Sequence, residues 1–205
     1  MINLFINLYM RRFLQLKLLI FIVLSISCTN PFSTRTPEEP EIGVGDPGSD
    51  VSQTDPTALL EKFSNSFTVQ NVSHYQECLS DLDNIGISFF FIPENREFSR
   101  LTNWTKQDEI NYFNKLINTE DIQEIALDFT NRSDVQIASD TVETQLDYLI
   151  DVKFRTKSEN YQGRTILKML RSPASLWYIY AMEDLTINSE SESSTWSKLK
   201  ADYRY

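Results

Sequence analysis

The 205-residue chain holds one histidine, two cysteines and five glycines. Each scarcity excludes a kind of chemistry. A zinc site built on His and Cys needs four ligands, which His74 and the two cysteines cannot complete. Five glycines leave no P-loop, no Gly-rich dinucleotide turn and no nucleophile elbow, and no cofactor is implied. Positive charge is also short: 19 Lys and Arg stand against 29 Asp and Glu, a net charge of −10. Such a chain repels a phosphate backbone, which argues against nucleic acid as a partner. What is plentiful is apolar material, 41% of residues with 12% aromatic, enough for the core of one domain with tails.

The N-terminal stretch "MRRFLQLKLLIFIVLSISC", from Met10, has the order of a secretory signal: Arg11, Arg12 and Lys17, then an apolar run over 18–24, then small residues. The residues before Met10 place apolar side chains ahead of the charge, so the start is expected at Met10. "LSISC" resembles the lipobox of bacterial lipoproteins, in which the cysteine becomes the first mature residue and carries the lipid. Ser25 stands where that pattern usually has Leu, and Leu24 lies one residue further back. The resemblance implies a signal peptide over 1–27 and lipidation at Cys28. The other reading, an uncleaved anchor, has an apolar stretch short of the roughly 20 residues that a span needs. Loss of residues 1–27, which hold three basic and no acidic side chains, takes the net charge to −13.

Residues 29–56 contain five Pro, three Gly and few large apolar side chains. They cannot bury enough surface to offset their chain entropy, so 28–54 is expected to be a disordered tether to a domain over 55–205. Thr29, where sorting patterns of two-membrane bacteria use Asp to retain a lipoprotein in the inner membrane, implies the outer membrane. With Cys28 acylated, Cys78 has no partner and no disulfide framework exists; Cys78 reads as a small buried hydrophobe.

Asp55 and Pro56 open a helix with Leu59, Leu60, Phe63 and Phe67 at helical spacing. Asn71 caps a second, whose face is Tyr75, Cys78, Leu79 and Leu82. "IGISFFFIP" is a strand ended by Pro93. Thr105 and Asp108 form a capping box for a third helix with Ile110, Phe113, Leu116 and Ile117 as its stripe. "DIQEIALDFTN" and "DVQIAS" read as two strands. From 141 to 156 Val142, Leu146, Tyr148, Ile150, Val152 and Phe154 share one face and Glu143, Asp147 and Asp151 the other, the period-2 mark of a half-wet strand. "KSENYQG" is a hairpin connection, two strands follow around Pro173, and Trp196 and Leu199 dock a short terminal helix. Helices first and consecutive antiparallel strands after them imply an α+β fold.

Over residues 55–205, "NVSHYQECLSD", "NWTKQDEINYFNKL" and "LWYIYAMEDLTI…SSTWSKLKADY" make the chain resemble the cone-shaped domains of the nuclear-transport-factor-2-like superfamily, SnoaL-like in kind, carried by bacterial lipoproteins. The resemblance implies three helices packed on a strongly curved, mainly antiparallel sheet whose concave side often forms a pocket. Relatives include isomerases, dehydratases and cyclases that act through polar residues inside the cone.

Tyr75, Trp104, Tyr148 and Trp177 are the candidate pocket residues, being aromatics in or near the sheet, for a small apolar ligand or an envelope protein. His74 lies about 100° round its helix from the core stripe, and no local carboxylate makes it catalytic. Asp147 and Asp151 read as a solvated outer face; turned inward, they would be a crowded acid–base pair. No catalytic or metal residue is assigned. The expected function is a non-catalytic binding domain of an outer-membrane lipoprotein. An isomerase-like enzyme acting on a small apolar substrate and a structural accessory of an envelope complex are the alternatives.

Overall fold

The computed structural model describes residues 52–187 and 194–204. The expected signal sequence, Cys28 and the tether up to residue 51 lie outside the described residues. The first helix, α1 (Pro56–Thr68), starts where the sequence places it, because Asp55 accepts from the N–H groups of Thr57 and Ala58 at 2.8 and 2.9 Å. It buries Leu59, Leu60, Phe63 and Phe67. Fully burying side chains of this size stabilises by about 1.5–3 kcal/mol each.

The second helix, α2 (Val72–Glu77), is capped by Asn71 and is shorter than its apolar spacing suggests. Leu79 leaves the helical path to bridge Ile179 of the sheet, and a separate short helix α3 (Leu82–Ile85) follows, capped by Asp81. Leu82, expected on the buried stripe, is 69% exposed. Gly86 closes α3 at φ 73°, a left-handed conformation that costs glycine little. That turn takes up the first residues of the expected strand, which is reduced to β1 (Phe90–Ile92).

The third long helix, α4 (Lys106–Ile117), has the expected box: Asp108 N–H donates to the Thr105 side chain and Thr105 N–H to Asp108. Its buried stripe is rotated from the expected one. Glu109, Tyr112, Phe113 and Leu116 face inward, while Ile110 and Ile117 are half-buried.

Four long strands complete the chain: β2 (Ile122–Ala138), β3 (Thr141–Phe154), β4 (Ser158–Arg171) and β5 (Trp177–Leu185). The sheet order is β1-β5-β4-β3-β2, with β1 parallel to β5 and every other pair antiparallel. The two strands expected over 121–139 are one. Its register against β3 shifts between Thr130 and Ser133, where Asn131 takes φ 51°. Such a bulge bends a strand without ending it, and the bend is part of the sheet's curvature. "KSENYQG" belongs mostly to β4; the turn is tighter, with Phe154 N–H donating to the Lys157 carbonyl at 2.7 Å.

On β3 the expected alternation holds: Val142, Leu146, Tyr148, Ile150 and Val152 are buried. Asp151 is exposed, and Asp147 lies on the outer face beside Arg164. One face of the sheet is covered by α1, which packs on β2 and β5, and α4, which packs on β2, while α2 packs against α1 and α4. The terminal helix α5 (Trp196–Asp202) buries Trp196, Ser197, Leu199, Lys200 and Ala201 and leaves Asp202 exposed. The Trp196 ring lies 6.0 Å from Phe63, 5.8 Å from Phe67 and 5.2 Å from Tyr148, measured between ring centres.

Tyr148 stands opposite Gly163 of β4 across the ladder, and its ring crosses the place of the missing side chain. A methyl group at 163 would collide with the Tyr148 hydroxyl and come within 2.8 Å of the Leu185 carbonyl oxygen. Gly163→Ala is expected to cost about 1–3 kcal/mol by overpacking, read as a lower urea midpoint with an unchanged slope.

Candidate functional site

Among the described residues, the interior of the cone and a groove on its outside both combine polar chemistry with enclosure. The interior is organised by Glu109. One turn into α4, it projects into the apolar stripe and is fully buried. Tyr75 on α2 donates its hydroxyl to Glu109 Oε1, and Trp104, just before the α4 cap, donates its indole N–H to Oε2 at 2.6 Å. The Lys200 ammonium, also fully buried, reaches both oxygens, at 2.5 and 2.7 Å. Lys200 lies over the face of Phe91, 3.7 Å from the ring centre, and 3.7 Å from the Met182 sulfur. Tyr75 itself is fixed by stacking on Phe113, with ring centres 4.0 Å apart.

A second buried carboxylate, Asp184 on β5, receives the Tyr148 hydroxyl at 2.6 Å on one oxygen. On the other it receives the Ser197 N–H at 2.7 Å and the Ser197 hydroxyl at 2.5 Å. Trp196 N–H donates to the Tyr148 oxygen at 2.8 Å, and its indole N–H to Tyr112 at 3.2 Å. The start of α5 is therefore held by Asp184 and its last turn by Glu109.

Burial sets the protonation of this cluster. It pushes the hydroxyls of Tyr75, Tyr112 and Tyr148 well above the ordinary phenol range, with Glu109 or Asp184 adding to the effect, so all three stay protonated. Burial also lowers Lys200 from its ordinary value while Glu109 pulls it back up. Asp184 is raised by burial, against the opposing pull of the Ser197 and Tyr148 hydrogen bonds. Acid–base work needs a group that reaches a substrate. Here each carboxylate oxygen is already occupied by a donor from the chain itself.

The candidate pocket residues divide. Tyr75 and Trp104 meet at Glu109, and Tyr148 lies in the neighbouring Asp184 cluster. Trp177 is buried at the other end of β5, where its N–H donates to the Gln53 carbonyl. The sequence alone assigns no site role to Glu109, Lys200 or Asp184. A signal existed for two of them: Glu109 falls on the spacing of Tyr112, Phe113 and Leu116, and Lys200 falls four residues after Trp196, on the same helical face. Asp147 is held below the usual carboxylate range by hydrogen bonds from Arg164 at 2.7 Å and Asn131 at 2.8 Å, a fixed ion on an outer face. His74 is half-buried, and its carbonyl accepts from the buried Cys78 thiol at 3.2 Å. Among the described residues no group of three or more His, Cys, Asp and Glu is arranged to hold a metal ion.

The groove has a volume of 410 Å³ and runs between α1, the α2–α3 segment, the start of α4 and the start of β5. Leu79, Leu176 and Tyr178 supply its apolar surface. At its rim Lys62 pairs with Glu77 at 2.7 Å and Lys106 with Asp81 at 2.9 Å. Gln53, from the segment that leads into the domain, lines it as well.

No protein-family model matches the chain, and no curated protein matches it. Solved structures do. A nuclear-transport-factor-2-like protein of unknown function in nutrient uptake from Rhodospirillum rubrum is 12% identical over 65% of this chain and 99% of that one, with a TM-score of 0.51. A candidate dehydratase of the same fold family from Streptomyces avermitilis is 8% identical over 64% of this chain and 94% of its own, with a TM-score of 0.50. A candidate aromatic ring hydroxylase from Novosphingobium aromaticivorans is 9% identical, covering 64% and 86%, also at 0.50. At these identities the similarity speaks to architecture: the domain has the nuclear-transport-factor-2-like α+β cone fold.

Two outcomes follow from the interior cluster. Lys200→Met leaves Glu109 buried without its counter-ion and is expected to cost about 3–5 kcal/mol in chemical denaturation at neutral pH. Asp184 has a folded pKa above its unfolded value of 3.8, so the folded state binds more protons between the two. Its contribution is full below 3.8 and lost as pH rises through the folded value. The stability of the wild-type protein relative to Asp184→Asn should therefore increase as pH is lowered toward 4, measured by denaturation across pH (about 4 being the ordinary carboxyl range).

Proposed function

We propose that the chain is an envelope lipoprotein whose cone domain binds a ligand or partner without catalysis. The observation that carries the non-catalytic reading is the filled interior: Trp196, Leu199 and Lys200 occupy the space between helices and sheet, and all three are fully buried. A substrate would have to displace the buried face of α5 and separate a buried ion pair. The isomerase-like alternative would need polar groups that reach a substrate, and Asp147 and Asp151 lie on the outer face. The groove beside the Lys62–Glu77 and Lys106–Asp81 pairs then remains as a concave surface for a small apolar ligand or a segment of an envelope protein. Its apolar floor with paired charges at the rim is the composition of many such sites.

The lipoprotein half of the reading is supported by sequence. The basic, apolar and small-residue order ends at Cys28, and a Pro- and Gly-rich segment follows it. Thr29 favours the outer membrane over the inner. A lipid on Cys28 would hold the domain at the bilayer while the tether lets it explore its surroundings. Being strongly acidic, the domain would be repelled by anionic lipid headgroups, so attachment would fall to the acyl chains.

Cys28→Ser is expected to move the protein from the membrane to the soluble fraction on cell fractionation and to block maturation. The mature wild-type N-terminal peptide should carry an acyl mass increment on Cys28. An unmodified Cys28 in protein recovered from the cytosol would overturn the anchored reading. A compound turned over by the purified domain with activity lost in Glu109→Gln would overturn the non-catalytic one.

A further inference from the structure

We propose that the chamber around Glu109 is a binding site for a primary alkylammonium group, and that Lys200 is the ligand the chain supplies to it in cis. The inference goes beyond the lipoprotein reading and rests only on the interior geometry. The receptor side of the chamber is built mainly by elements other than α5, which adds the Trp196 ring at 5.4 Å from the Lys200 nitrogen. Tyr75 and Trp104 each donate to one oxygen of Glu109 and fix its plane before any cation is considered. Phe91 from β1 presents its ring face, Met182 from β5 its sulfur, and Tyr112 from α4 a second ring, 5.6 Å from the Lys200 nitrogen.

These groups match a primary ammonium in particular. Its three N–H donors find the two carboxylate oxygens at 2.5 and 2.7 Å and the weakly accepting sulfur at 3.7 Å. The aromatic face at 3.7 Å stabilises the positive charge where water is excluded. The carbon stem is buried with the rest of the residue. A quaternary ammonium has no N–H to give and could not approach the oxygens to that distance. An alcohol would bring no charge to offset Glu109. The chamber is thus specific by the same contacts that make the buried pair tolerable.

Lys200→Ala removes Cγ, Cδ, Cε and the nitrogen, the atoms of n-propylammonium, and leaves α5 attached by Trp196, Ser197 and Leu199. In the full-length variant, thermal unfolding is expected at a lower temperature than in wild type. Added n-propylammonium chloride should raise the midpoint with the logarithm of its concentration, by about 3–6 °C at ten times its Kd. Equal concentrations of n-propanol or tetramethylammonium chloride should not. Wild type and Lys200→Met, whose stems fill the chamber, should show no such rise with the amine. If Lys200→Ala fails to fold in plain buffer, refolding that depends on n-propylammonium and not on n-propanol gives the same result. No recovery with the amine, equal recovery with the alcohol, or a matching response in Lys200→Met would each overturn the proposal.

Discussion

The domain is arranged around an ion pair that water does not reach. Moving an ammonium and a carboxylate out of water costs several kcal/mol for each ion. Lys200 and Glu109 offset that cost with two short mutual contacts, two further donors on the carboxylate and an aromatic face under the cation. Such a pair is a weak source of net stability compared with an apolar replacement, but it is intolerant of misplacement. Shifting α5 by one residue would take Lys200 away from Glu109 and Ser197 away from Asp184 together. The pair and the Asp184 cluster thus fix the axial position of α5 as well as its burial.

This arrangement decides what kind of cone this is. The curved sheet and its covering helices enclose a space that is deep enough to hold a helix. Here the enclosed residues are the chain's own Trp196, Leu199 and Lys200. Around them the rings of Phe63, Phe67, Tyr75 and Phe113 meet edge-on or stacked at 4.0 to 6.1 Å between centres, and Tyr148 meets Trp196 at 5.2 Å, a packed interior. Concavity toward solvent is displaced to the outer groove, where the entering segment, α1 and the α2–α3 turn converge.

Much of the architecture was legible along the chain. Caps at Asp55, Asn71 and Thr105 act locally, through side chains that satisfy the first N–H groups of their own helices, and each was readable in a few residues. The alternation on β3 was readable for the same reason: a strand with one wet face must repeat every two residues. Errors arose where a distant contact overrode local pattern. Leu79 was drawn off its helix by Ile179, a hundred residues away, and α4 turned so that a glutamate replaced Ile110 on the inner face. Polarity made Glu109 and Lys200 look like surface residues, since a charged side chain is rarely buried without a partner and the partner lies 91 residues off. Tyr75 and Trp104 are legible as aromatics in or near the sheet, but the carboxylate that accepts from both is not.

By itself, then, the sequence determined the class of the domain, the start of each long helix, the wet and dry faces of β3 and the expectation of a lipidated Cys28 on a tether. These depend on interactions between near neighbours or on composition, which a linear string records. Tertiary structure alone decided that the cone would be filled from within. That outcome requires a lysine near one end of the chain, a glutamate in its middle and an aspartate on the last strand to be brought into a single low-dielectric space. Only there does a charge become more stable paired than solvated, and no local periodicity encodes that meeting.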